Sequence, residues 1–211
     1  MEPVVVGEAP DYGDVMYWDT RFALDPEPFE WYLPWEDLRE VVIPRMLALG
    51  VPPHDVEVLV VGCGNSTLAE ELYLEGWENI TAIDTSSVVV EQMRTRCAKL
   101  TELEFHVMDA CALQFPDNSF NVIVDKACLD TVLCEAEDPP AAASAAVQEA
   151  HRTLAAPGVY LLLSHGAARA RLEFLTAGDP RWRVEAVRLR KGDVPGDGEE
   201  AFYFLYICTK V

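Results

Sequence analysis

From Val56 onward the chain alternates short apolar runs with stretches whose apolar residues recur every three or four positions. Val56–Val61 is short, β-branched and closed by glycines, the pattern of a strand buried on both faces. Asn65 or Ser66 can cap a helix running to about Glu75, with Leu68, Ala69 and Leu72 on its inner face. Gly76 stands where a C-terminal glycine belongs. Asn79–Ile83 predicts a second strand that closes on Asp84. Ser86 or Ser87 can cap the next helix, with Val89, Met93, Cys97 and Leu100 on one face. Leu103–Met108 predicts a third strand followed by Asp109, and Phe120–Val124 a fourth followed by Asp125 and Lys126. Ala141–Ala155 is alanine-rich and helical, stopped by Pro157 and Gly158, and Val159–Ser164 is a fifth strand. Trp182–Leu189 and Ala201–Thr209 flank the turn-rich stretch 192–200 and predict an antiparallel pair.

Alternating β and α units predict an α/β, Rossmann-like domain: a seven-stranded, mostly parallel sheet, helices on both faces and an antiparallel C-terminal strand. The acidic, proline-containing stretch Glu135–Pro140 reads as a mobile loop. Residues 1–55 differ from the rest. They hold three of the five tryptophans, around Tyr17-Trp18 and in Phe29-Glu30-Trp31-Tyr32-Leu33-Pro34-Trp35. They read as an aromatic-rich cover on one end of the sheet, part of the same domain as residues 56–211.

Composition narrows the class. The 211 residues include 16 basic and 36 acidic side chains, a formal charge of −20. That balance disfavours a nucleic-acid binder, which needs cations to replace counterions on phosphate, and a protein docking on anionic lipid. A basic partner suits it better. No apolar run reaches the ~18 residues of a spanning helix, and the N-terminus has no presequence pattern, so a cytoplasmic protein is expected. The six cysteines contain no Cys-x-x-Cys pair and read as free thiols. The four histidines have no metal-ligand spacing, and no metal is expected.

The chemistry concentrates in Val58–Leu68, which reads strand, glycine turn, helix start. Gly62 and Gly64 allow a tight turn and a close backbone approach to a ligand, and the helix N-terminus behind them favours an anionic group. Asp84 follows Gly64 by 20 residues, at the end of the second strand. An acid there can accept from two ribose hydroxyls. The third glycine of a dinucleotide fingerprint would fall at Thr67, which argues against a pyrophosphate cofactor, and no P-loop is present. S-adenosylmethionine carries no phosphate and fits. Asp109 either accepts from an adenine amino group, with the Ala110 backbone at the ring edge, or simply closes its strand. Lys126 taken alone reads equally as a solvated loop lysine. Of the aromatics, Trp18 and Trp31 are the candidates to wall the site, and Tyr32 and Trp35 are assigned to packing. Asp130 suits a catalytic role, an N-cap or an ion pair. Cys63 reads as a small packing residue.

The stretches VLVVGCGNSTL, IDTSSVVVEQM and VMDA…FPDNSFNVIVDKACLDTVL resemble the seven-strand (class I) methyltransferases. Within them they are similar to the group that includes the eukaryotic elongation factor 1-alpha lysine methyltransferases. The resemblance runs from Tyr17 to about Leu133 and more weakly beyond. It implies S-adenosyl-L-methionine as cofactor, touched by Trp18, Phe22, Trp31, Gly62, Asp84, Thr85, Asp109, Ala110 and Lys126, and it implies a protein lysine as acceptor. Two departures stand out. Phe22 replaces a frequent tyrosine, and Ala127-Cys128 replaces Gly-Thr. A small-molecule acceptor, or a non-catalytic cofactor-binding module working through a partner, are the alternatives.

Overall fold

The computed structural model describes residues 10–134, 138–177, 182–192 and 194–211. Seven strands form one sheet: β1 (Val58–Val61), β2 (Ile80–Asp84), β3 (Leu103–Val107), β4 (Phe120–Lys126), β5 (Leu154–Ser164), β6 (Trp182–Arg190) and β7 (Phe202–Lys210). Their order is β3-β2-β1-β4-β5-β7-β6. The contacts β3–β2, β2–β1, β1–β4 and β4–β5 are parallel. β7 enters antiparallel between β5 and β6.

Strand alternation divides the core in two. Val58, Val60, Val122, Val124, Leu161 and Ile207 face one apolar cluster. Leu59, Val61, Ile123, Tyr160, Leu162 and Tyr206 face the other. Every residue of β1 is buried, as its unbroken apolar run requires. The first cluster is covered by α2 (Trp35–Leu47), α3 (Leu68–Leu74) and α4 (Ser87–Arg96). The second is covered by α5 (Cys128–Val132), α6 (Pro139–Thr153) and α7 (Ala168–Thr176).

The N-terminal segment is more regular than its aromatic clusters suggest. Asp14 accepts from the Met16 N–H at 2.9 Å and caps α1 (Val15–Leu24). In α2, Trp35, Leu38, Val42 and Met46 recur at helical spacing and are all buried. The two helices hold Phe22, Trp35 and Met46 in the same cluster as β1.

Several boundaries shift from the sequence expectation. The first crossover helix starts at Leu68. Thr67 is its cap position and makes no side-chain cap bond, while Ser66 Oγ accepts from the Leu68 N–H at 3.1 Å. Ser86 rather than Ser87 caps α4, its hydroxyl accepting from Val89. The alanine-rich helix ends at Thr153, and β5 begins at Leu154 with a register irregularity against β4. Proline does not start the break here, because the backbone is already extended at Leu154 (ψ 128°). Asp125 and Lys126 lie inside β4, paired with Leu162 and Leu163, not after it. Of the acidic loop, residues 135–137 lie outside the described residues. Asp138 caps α6 through the Ala141 N–H, and Pro139 and Pro140 open that helix.

Two features at the end of β4 generate tests. Ala127 sits at φ 72°, in the left-handed region that glycine occupies without cost. Ala127→Gly should raise unfolding stability by about 1 kcal/mol, relief of that conformation exceeding the added freedom of the unfolded chain. A lower urea midpoint would contradict this. Asp125 is enclosed, and burial raises its pKa from 3.8 to about 7 against bonds from Leu129, Tyr160 and Cys128. Between those values the folded state keeps a proton that the unfolded chain has released, so stability falls as pH rises through that window. Asp125→Asn should flatten the fall in urea midpoint between about pH 4 and about pH 7. Equal slopes in both proteins would show that this carboxyl is not the cause.

Candidate active site

β1 is flanked by β2 on one side and β4 on the other, so the chain crosses over in opposite directions from it. A crevice opens at the carboxyl ends of strands at such a point. The cavity found there has a volume of about 210 Å3. Its floor is the turn after β1, where Gly62 and Gly64 take φ 57° and 51°. Gly64 donates its N–H to Asp84 Oδ2 at 2.9 Å, which binds the turn to the end of β2. Thr85 lines the cavity beside it. Asp109 and Ala110 line it from the loop after β3, with Asp109 Oδ1 accepting from the Cys111 N–H at 2.8 Å.

Trp18, Phe22 and Trp31 form the side contributed by the N-terminal segment. The Trp18 and Phe22 rings stack with centroids 5.7 Å apart, and Trp31 meets Trp18 edge-on at 6.3 Å. All ten residues selected from the sequence therefore surround one cavity, Lys126 being the tenth.

Asp84 tests whether the cavity suits a ribose. Its carboxylate is partly buried where it lines the cavity, and burial raises its pKa although the N–H groups of Ser86, Gly64 and Thr85 act to lower it. Oδ1 accepts from Ser86 and Oδ2 from Gly64. A carboxylate offers about four acceptor sites, so capacity remains beyond the N–H groups of Ser86, Gly64 and Thr85. Among the described residues no cation pairs with this acid. A partly buried acid with acceptor capacity to spare at a cavity fits a diol, and fits S-adenosylmethionine.

Three sequence readings need correction. The N-terminus of α3 does not wait for an external anion. Glu30, from the segment before α2, accepts there from the Thr67 N–H at 2.6 Å and from Ser66 Oγ at 2.8 Å. Lys126 is not a solvated loop lysine: it is buried, and its Nζ lies 2.6 Å from Glu30 and 3.3 Å from the Trp31 carbonyl. Burial pulls the Lys126 pKa down, and Glu30 offsets this only in part. For Glu30, burial acts to raise the pKa, but the Lys126 charge and the bonds from Lys126, Thr67 and Ser66 hold it below its ordinary value. Tyr32 does more than pack: it stands at φ 68° with its hydroxyl 2.5 Å from Asp130. Trp35 is a core residue, as read.

Glu30 and Arg96 carried no signal in the sequence. Arg96 braces the glycine turn from α4, donating to the Asn65 carbonyl at 2.9 Å and the Ser66 carbonyl at 2.7 Å. Gly62 has a packing reason besides the turn: a Cβ there would meet the Cys128 side chain at 2.7 Å. Cys63 is buried and burial pushes its thiol pKa well up, in keeping with packing. Among the described residues no group of His, Cys, Asp or Glu is arranged for a metal, and no helix is long and apolar enough to cross a membrane.

A family model described as a methyltransferase domain matches residues 59–162. EEF1A lysine methyltransferase 4 of Mus musculus is 36% identical over 188 residues, covering 86% of this chain and 69% of that protein. Its counterpart in Bos taurus is 34% identical over 182 residues, covering 82% and 69%. A SAM-dependent methyltransferase structure from Methanosarcina mazei superposes with a TM-score of 0.62 at 22% identity, covering 78% of this chain and 97% of that one. That likeness speaks to the fold. The sequence relatives speak to descent: the chain belongs to the seven-strand (class I) S-adenosylmethionine-dependent methyltransferases, in the group that contains the elongation factor 1-alpha lysine methyltransferases.

Proposed function

We propose that this chain transfers methyl groups to a lysine of a basic protein in the cytoplasm, with elongation factor 1-alpha the first acceptor to test. One observation carries the reading. The residues that the sequence resemblance singled out surround one cavity, and it is lined by a partly buried acid, Asp84, with no cation beside it among the described residues.

In this reading Asp84 binds the ribose hydroxyls, Asp109 and Ala110 meet the adenine, and Gly62, Gly64 and Thr85 let the backbone approach. Trp18, Phe22 and Trp31 exclude water and turn their ring faces toward positive charge. Phe22 stands where the resemblance implies a frequent tyrosine, so it offers a ring face without a hydroxyl. Lys126 has its charge already matched by Glu30 and holds the Trp31 carbonyl. Residues 1–55 are read as a cover belonging to the domain 56–211. The core cluster that α2 shares with β1 supports this. When bound, S-adenosylmethionine supplies an electrophilic methyl group and a neutral thioether as leaving group. The protein then has mainly to orient and desolvate the acceptor nitrogen. A chain of charge −20 favours encounter with a basic substrate.

Two measurements check this. Calorimetric titration should show S-adenosylhomocysteine binding to the intact protein, NAD not binding, and Asp84→Ala weakening the affinity by roughly 100-fold or more, the loss of two charge-assisted hydrogen bonds. Undiminished binding by Asp84→Ala would remove this acid from the site. With labelled methyl donor, purified elongation factor 1-alpha should acquire methyl-lysine. Label appearing only in the protein-free fraction of an extract would replace the protein acceptor by a small molecule. Tight binding with no transfer to any fraction would point to a non-catalytic module.

A further inference from the structure

Asp130, in the first turn of α5, is buried and receives six hydrogen bonds. Oδ1 accepts from Ser164 Oγ at 2.5 Å and from Arg171 Nε and Nη2 at 3.1 and 2.8 Å. Oδ2 accepts from the Tyr32 hydroxyl at 2.5 Å, the His165 N–H at 2.9 Å and His165 Nδ1 at 2.8 Å. These bonds and the Arg171 charge outweigh burial and hold the carboxyl well below its ordinary pKa. The Tyr32 hydroxyl also lies 3.0 Å from His165 Nδ1; with that hydroxyl given to Oδ2, an ionised carboxylate has no proton to give and favours the tautomer in which Nδ1 is the donor. In the neutral ring of that tautomer the other nitrogen, Nε2, is a lone-pair acceptor. It has no partner among the described residues, and the side chain is 57% exposed.

The ring stands at the same end of the sheet as the cavity. Leu163 pairs with Lys126 at the end of β4, and His165 emerges two residues later. Tyr32, Asp130 and His165 stand outside the cavity lining, next to it in the chain: Trp31 precedes Tyr32, Thr131 and Val132 follow Asp130, and these three neighbours line the cavity. Asp84 lies on the opposite side, beyond β1. Tyr32 pays for its position with a left-handed backbone at φ 68°. Strain of this kind persists where surrounding structure enforces it.

We propose that His165 takes the proton from the acceptor lysine, that Asp130 and Tyr32 are positioning residues for its ring, and that the acceptor enters over the carboxyl ends of β4 and β5. The inference rests on the lysine reading above. The step balances simply: the acceptor ammonium gives one proton to Nε2, leaving a neutral amine and an imidazolium, and the exposed ring returns that proton to water. The step matters because roughly one lysine amine in 2,500 is neutral at pH 7, from a reference pKa of 10.4. The charged and titratable groups facing the ring are Asp130 from α5, Arg171 from α7 and Tyr32 from the cover. Beyond them, Tyr203 of β7 packs on Tyr32 at 4.7 Å and Lys191 lies 4.7 Å over the Tyr203 ring.

The test compares His165→Gln with the unaltered protein on elongation factor 1-alpha across pH. The variant should be slower by about 100-fold at pH 7, with S-adenosylhomocysteine affinity unchanged. Its deficit should shrink steadily towards about pH 9.5, as the amine increasingly loses its proton unaided. Free imidazole should partly restore His165→Ala. In the proton NMR spectrum, an Nδ1–H resonance shifted downfield by the Asp130 bond should be present in the intact protein and absent from His165→Gln. A deficit independent of pH would mean a structural role, and no deficit would mean no role; either overturns the proposal alone. Absence of the Nδ1–H resonance overturns the tautomer on which it stands. No labelling by the unaltered protein overturns the lysine reading and this inference with it.

Discussion

Lys126 ends the central strand β4 with its ammonium inside the protein, and Glu30 meets it at 2.6 Å. A buried charge without such a partner costs several kcal/mol, on the order of 3–5 when one member of a buried pair is removed. The pairing therefore decides where the N-terminal segment must lie. Glu30 also fills the N-terminus of α3, so one carboxylate neutralises β4 and caps the helix that follows β1. The rest of the segment follows from that attachment. Asn65 donates to the Glu27 carbonyl, Asp19 accepts from Ser86 at 2.6 Å, and Gln92 donates to the Phe22 carbonyl at 2.9 Å. Held at these points, Trp18, Phe22 and Trp31 become a wall of the cavity rather than a free apolar surface.

The same attachment divides the site into two electrostatic halves. On the β2 side a partly buried acid lines the cavity with no cation beside it among the described residues, and burial raises its pKa. On the β5 side Asp130 is enclosed with every lone pair engaged and an arginine beside it. The first acid faces the cavity with acceptor capacity to spare. The second is committed to holding protein groups in place, among them a histidine ring at the surface.

Between the halves, the backbone after β4 packs tightly against the glycine turn. Cys128 occupies the space that a Cβ on Gly62 would need, so the glycine turn and the start of α5 are fitted to each other. Ala127 makes the required left-handed turn with a methyl group attached. The chain retains the turn and bears a small conformational cost for it.

The β/α alternation, the both-faces-buried strand β1, the glycine turn and Asp84 at its fixed spacing were all legible from local pattern, because each is a requirement on neighbours in the chain. The stripe Leu38, Val42, Met46 was equally legible as a helix and was obscured by the aromatic clusters before it. Strand ends were displaced wherever pairing continued past the apolar run: Asp125 and Lys126 remain in β4 because the neighbouring Leu162 and Leu163 keep their backbone groups paired. What local pattern could not supply was which distant charges meet. Glu30 and Lys126 are 96 residues apart, and Asp130 and Tyr32 are 98. No period or spacing links residues so remote in sequence; they meet only after the sheet has formed and burial has made an unpaired charge too costly. Sequence alone determined the fold and the kind of ligand, because those depend on short-range repeats. The tertiary structure decided which acid stays open to a ligand and which is spent on a partner, because that depends on desolvation.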